Sequence, residues 1–149
     1  MARIEIPLPE AFVFETLLDI RIGDINYGGH LANDALLRLA HEARLRFFKT
    51  HGYSELDVEG HGIIMTDAAI VYKAEVFHGE TLHFQLGFAD PNKYGFDLIY
   101  QASHGKTGHE VARLKTGIVF FDYDKRKIAP MPGVFVTRFL REQQGVVAS

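Results

Sequence analysis

The chain has 149 residues, no cysteine and a formal net charge of −3. That length suits one domain with a sizeable core, and the missing cysteines exclude disulfides, zinc–thiolate clusters and a thiol nucleophile. The slightly acidic balance gives no general attraction to nucleic acid or to an anionic membrane. The opening stretch MARIEIPLPEAFVFETLLDIRIG alternates and carries acids, unlike a secretory leader. No apolar run approaches the ~20 residues needed to cross a bilayer. The expectation is a single cytoplasmic domain over 1–149, without repeats or linkers.

Along the chain, Phe12, Phe14, Leu18, Ile20 and Ile22 fall on even positions with Glu15, Asp19 and Arg21 between them. This period of two marks a half-buried strand. GDINYGGHLAND, residues 23–34, follows as a polar connection. Then Leu36, Ala40, Ala43 and Phe47 recur at helical spacing, predicting a long helix over about 34–51. Asn33 or Asp34 can cap its start and Gly52 can close its end.

After the helix the pattern is strand throughout. GIIMTDAAIVYKAEVF is rich in branched residues, and TLHFQLGF puts Leu82, Phe84, Leu86 and Phe88 on one face. ADPNKYG turns the chain into a strand carrying Phe96, Leu98, Tyr100 and Ala102, and SHGKTGH turns it again into EVARLKTGIVFFDY. Residues 130–149 read as a C-terminal extension in which VFVTRFLREQQ can form a short helix, with fraying ends. One strand, one helix and four hairpin-linked strands predict an α+β domain, an antiparallel sheet of five to six strands wrapped around one long central helix.

The polar connection carries the chemistry. A helix start leaves N–H groups unpaired and partially positive, and Gly28 and Gly29 let backbone approach a ligand closely. Such donors can hold a carbonyl oxygen and stabilise the oxyanion formed when water attacks it. Asp24, Asn26 and His30 stand just before the helix, where they can orient the water or take its proton. If the segment is extended, Asp24 and Asn26 point to one side and can share that water. The competing reading is a turn with caps, to which Asp34 belongs. HGKTG lacks the first glycine of a phosphate loop and lies in a hairpin. The eight histidines form no His-x-x-x-His pair, so no metal or cofactor is expected. DKRK, residues 124–127, reads as a solvated turn.

The order of elements resembles the hotdog fold over roughly residues 12 to 124. GDINYGGHLANDALLRLAHEARLRFF is similar to the thioesterase branch of that superfamily, the acyl-CoA and acyl-carrier-protein hydrolases. Against the D-x-D-x-x-G loop of the 4-hydroxybenzoyl-CoA thioesterase type, Asp24 takes the first Asp, Asn26 the catalytic second Asp and Gly29 the glycine. Against the plant acyl-carrier-protein pattern D-L-D-M-N-Q-H-V-N-N, Gly28 replaces the first Asn, His30 matches the His and Asn33 the last Asn. Asn26 cannot act as a base, so another carboxylate must: Asp24 first, then Glu75 in VYKAEV, which aligns with a functional Glu segment of the plant enzymes, then Glu42. Glu75 can instead pair with Lys73, and Glu42 with Arg46.

The resemblance implies hydrolysis of an acyl-CoA or acyl-carrier-protein thioester, without cofactor. It also implies a homodimer or dimer of dimers paired through the long strand, with the site between protomers and Asp67 or Glu75 of a neighbour completing it. Two alternatives accompany it. A hydratase branch carries G-D-x-N-P-[aliphatic]-H, which GDINYGGH matches at its start but not in proline or His spacing. A non-catalytic acyl-CoA-binding protein would also suit Asn26.

Overall fold

The structure, a computed structural model, describes residues 3–140. Its elements are β1 (Phe14–Asp19), a 3-10 turn (Ile22–Asp24), α1 (Asn33–Thr50), β2 (Gly62–Tyr72), β3 (Thr81–Ala89), β4 (Gly95–His104), β5 (Glu110–Asp122) and β6 (Lys127–Ile128). A short α2 (Gly133–Phe135) runs directly into a π-helical turn (Val136–Leu140). All pairings are antiparallel, in the order β1-β3-β4-β5-β2, with β6 added beside β5. This is the hotdog architecture, a six-stranded sheet curled on one long helix.

Alternation selects the inner face. Leu82, Phe84, Leu86 and Phe88 of β3 and Leu98, Tyr100 and Ala102 of β4 are fully buried, as are Leu114 and Phe120 of β5. Against them α1 turns Leu36, Ala40, Ala43 and Phe47. The small residues at 40 and 43 bring the helix close, and Phe47 meets Phe14 of β1 and Phe88 of β3 at ring separations of 5.6 and 5.9 Å. The helix ends in a Schellman motif: Gly52 N–H donates to Lys49 O (3.1 Å) and Tyr53 N–H to Phe48 O (2.9 Å). Gly52 has φ +76°, which a residue with a Cβ adopts only at a cost.

At the C-terminal end of α1, Phe135 stacks on Phe96 (5.3 Å) and touches Phe120 (5.2 Å), closing that end of the core with aromatic rings. The part of VFVTRFLREQQ beyond Leu140 lies outside the described residues. Residues 6–13 cross the outer face of the sheet, held where Arg113 Nη1 donates to Ile6 O (3.0 Å) and Val13 N–H to Leu86 O (2.7 Å). The opposite end, where α1 begins, is left for the polar connection.

Candidate functional site

Residues 25–31 form a tight reversal rather than an extended run. Ile25 and Leu31 bridge, Asn26 N–H donates to His30 O (3.1 Å), and Gly29 N–H donates to Asn26 O (3.0 Å). The Asn26 side-chain oxygen accepts the Gly28 N–H (2.9 Å), an Asx turn. Gly29 sits at φ +89°, where its missing Cβ is needed. The amides of Gly28 and Gly29 are therefore spent on shaping the loop. Those of His30 and of Asn33, the first residue of α1, find no acceptor among the described residues.

Two hydrogen bonds stitch this loop to the chain leaving β2. Leu31 N–H donates to Val76 O (2.9 Å) and the Tyr72 hydroxyl donates to Asn33 O (3.1 Å). Burial, then the Asp34 charge, push the Tyr72 phenol above its ordinary value, so it stays a donor. The seam opens a cavity of about 290 Å³. Its rim carries His30, Asn33, Lys73 and Glu75; its floor is Leu36, Val76 and Val111, each at most 2% exposed. His30 Nε2 lies 3.8 Å from Glu75 Oε1 across the mouth, and both side chains reach solvent. A carboxylate, an imidazole and two residues whose amides are unpaired, His30 and Asn33, thus line one apolar-floored hollow.

The other expected carboxylates lie elsewhere. Asp24 ends the 3-10 turn, is 2% exposed, and accepts the Arg21 N–H at 2.9 Å with the Arg21 guanidinium at 3.6 Å. Its carbonyl accepts the Ala32 N–H (2.9 Å), so it fixes the approach to the helix. Glu42 pairs with Arg46 (2.8 Å). Asp24 and Glu42 share a second cavity of about 310 Å³ on the other flank of α1, among Arg21, Arg38 and Arg46. Asp24 and Asn26 do not lie on one extended run: the Asp24 carboxylate is bound at the 3-10 turn and the Asn26 side-chain oxygen in the Asx turn.

Asp67 stands on the outer face of β2, where Lys115 binds it at 2.8 Å and that hydrogen bond holds its carboxyl below the usual range. Asp34 is bound by Arg38 at 2.8 Å and is lowered for the same reason. It caps nothing, since the residue before the first turn is Ala32 and no side chain caps there. Tyr72, Val76 and Val111 were not foreseen as part of the site. Their signal, the end of a strand and a bulge, requires knowing which strands pair.

The family model that matches the chain is that of the thioesterase-like superfamily, over residues 20–139. No curated protein matches it significantly. Among solved structures, a 1,4-dihydroxy-2-naphthoyl-CoA thioesterase from Synechocystis is 22% identical with a TM-score of 0.75, covering 83% of this chain and 93% of its own. A thioesterase superfamily protein from Jannaschia is 20% identical with a TM-score of 0.79, covering 95% and 89%. A thioesterase from Thermus thermophilus, complexed with coenzyme A and Zn, is 20% identical with a TM-score of 0.75, covering 93% and 99%. At these identities the structures establish a shared fold.

Proposed function

The chain belongs to the thioesterase-like superfamily, and from that premise we propose that it hydrolyses acyl-CoA to a free acid and coenzyme A in the cavity beside the start of α1. The observation that supports this most is the meeting of Glu75, His30 and Asn33, the last two with unpaired amides, around one apolar-floored hollow. Glu75 takes a proton from water as the water oxygen attacks the thioester carbon. His30 N–H and Asn33 N–H stabilise the oxyanion, a contribution of about 3–4 kcal/mol per well-placed donor in other acyl-transfer sites. Collapse breaks the C–S bond, the electron pair leaves on sulfur, and the proton held by Glu75 passes to the thiolate.

The imidazole of His30 orients the water and keeps Glu75 over the mouth. Asn26 acts as the loop's organiser through its Asx turn, Gly28 and Gly29 permit that turn, and Asp24 anchors it. Glu42 and Asp67 stay outside the chemistry of this protomer. Support for coenzyme A over a carrier protein comes from the coenzyme bound to the Thermus relative. A cytoplasmic location is part of the same reading, and a chain without cysteine is compatible with it. No helix among the described residues is long and apolar enough to cross a membrane.

The outer edge of β2, eleven residues long, has no strand beside it among the described residues. Met65 and Tyr72 on it are about half exposed. A second copy pairing along this edge would remove the exposed ladder and set its own loop beside the mouth, so a homodimer or a dimer of dimers belongs to the proposal. The test is thiol release from a panel of acyl-CoAs, run beside loss of conjugated absorbance with an enoyl-CoA. Hydrolysis without hydration supports the reading. Hydration alone, or binding without turnover, overturns it.

A further inference from the structure

Resting on that reading, we infer that the site accepts only short apolar acyl groups, of roughly six carbons or fewer, because Leu36, Val76 and Val111 close it from within. The cavity holds about 290 Å³. With about 30 Å³ for each water-sized group, that is roughly ten such groups. The thioester carbonyl carbon and oxygen, the sulfur and the first two carbons of the thiol arm occupy roughly five of them, and the remainder together with the carbonyl carbon sets the acyl length at about six.

The floor is built to stay. In the β4–β5 pairing the register shifts between Ala102 and Ser103, which pair with Ala112 and Glu110 and leave Val111 as the extra residue of a bulge. A bulge turns its side chain out of strict alternation, and Val111 accordingly lines the cavity beside inward-facing Ala112. Its carbonyl accepts the N–H groups of both Lys73 (2.8 Å) and Ala74 (3.1 Å), pinning the bulge to the chain that bears Glu75. Val76 is fixed by the bond from Leu31 N–H, and Leu36 by the first turns of α1.

Behind these three the same buried cluster continues through Leu82, Leu98 and Tyr100 to the phenylalanines at the far end. Interiors of this kind are close-packed. A longer chain would have to displace core side chains or turn back out through the mouth past His30, Lys73 and Glu75. The floor itself is aliphatic, with no donor or acceptor side chain to reward a polar tail.

The test uses the full-length protein with straight-chain acyl-CoAs from acetyl to palmitoyl, measuring kcat/KM by thiol release. Non-hydrolysable thioether analogues of the same lengths give dissociation constants by calorimetry. The expected result is a maximum at butanoyl to hexanoyl and a fall of about tenfold or more by dodecanoyl, in both series. Val111→Ala should move the maximum toward octanoyl, and Val111→Phe should lower the hexanoyl-to-acetyl ratio of kcat/KM.

Equal or faster hydrolysis of dodecanoyl-CoA overturns the length limit while the hydrolase reading stands. Tightest binding of short thioethers with no hydrolysis at any length overturns the hydrolase reading while the limit stands. Because the wild-type series decides both, a variant that fails to fold leaves the test intact.

Discussion

Arg44 sits on the buried face of α1 with only 6% of its surface exposed. Its Nε donates to Glu55 (3.2 Å) and its Nη1 to the Tyr100 hydroxyl (3.0 Å), which lies 2.8 Å from the Thr116 hydroxyl. Burial alone would raise the Glu55 carboxyl, but the hydrogen bond from His41 and the Arg44 charge outweigh it, and the group is held below its ordinary value. A depressed carboxylate contributes stability that is complete above its unfolded value, near 4.5, and lost as pH falls through the folded value. Thermal melts should therefore show wild-type Tm falling more steeply below that pH than Glu55→Gln. Equal slopes would contradict the network. Arg44→Met should cost about 2–3 kcal/mol in denaturant unfolding, since removing one partner strands the others. The spacing of Ala40, Arg44 and Phe48 already puts residue 44 on the helix's inner side. Its partner Tyr100 is fifty-six residues away, and nothing local identifies it. Glu75 was legible as a candidate base through the resemblance of VYKAEV, but its place opposite His30 depends on the long-range bonds from Leu31 to Val76 and from Tyr72 to Asn33.

The strands were legible because alternation is a property of each element alone. Even positions of β3 and β4 are buried as expected, and α1 lies within a residue of the expected 34–51. Element ends were less legible, because they depend on partners elsewhere. The alternation begun at Phe12 runs to Ile22, yet β1 covers only Phe14–Asp19, since Ile22–Asp24 wind into a 3-10 turn that the buried Asp24 closes. Asn33 and Asp34 looked like caps, but the residue before the first turn is Ala32, no side chain caps there, and Asp34 is bound by Arg38. Gly52 does close the helix as expected. Gly52→Ala should destabilise by about 1 kcal/mol, because φ +76° is retained only with strain. A Tm drop of roughly 2–8 °C is the check, and Asn33→Ala, which removes no cap bond, should leave Tm near wild type.

Across the whole molecule, one sheet closed on one helix forces polarity of use. Aromatic rings fill the end where α1 stops. The end where it starts keeps unpaired amides, flanked by two cavities of similar size and unlike chemistry. One holds Glu75 and His30 over an aliphatic floor; the other holds Asp24 and Glu42 among three arginines. Volume does not choose between them. Availability supports the Glu75 cavity as the proposed site, since Asp24 and Glu42 are each bound to a guanidinium while Glu75 faces only an imidazole at 3.8 Å. The exposed edge of β2 adds an expectation at this scale: light scattering at micromolar concentration should report a dimer or tetramer, and a monodisperse monomer would remove the shared-site proposal. The most direct test of the proposed chemistry is kcat for a short acyl-CoA measured on Glu75→Gln beside Asp24→Asn. Glu75→Gln should lose about 100-fold or more in kcat with KM changed only a few-fold, and Asp24→Asn should retain most of its kcat while melting lower. Wild-type kcat in Glu75→Gln, with activity abolished in a folded Asp24→Asn, would contradict the account and move the chemistry to the other flank of the helix.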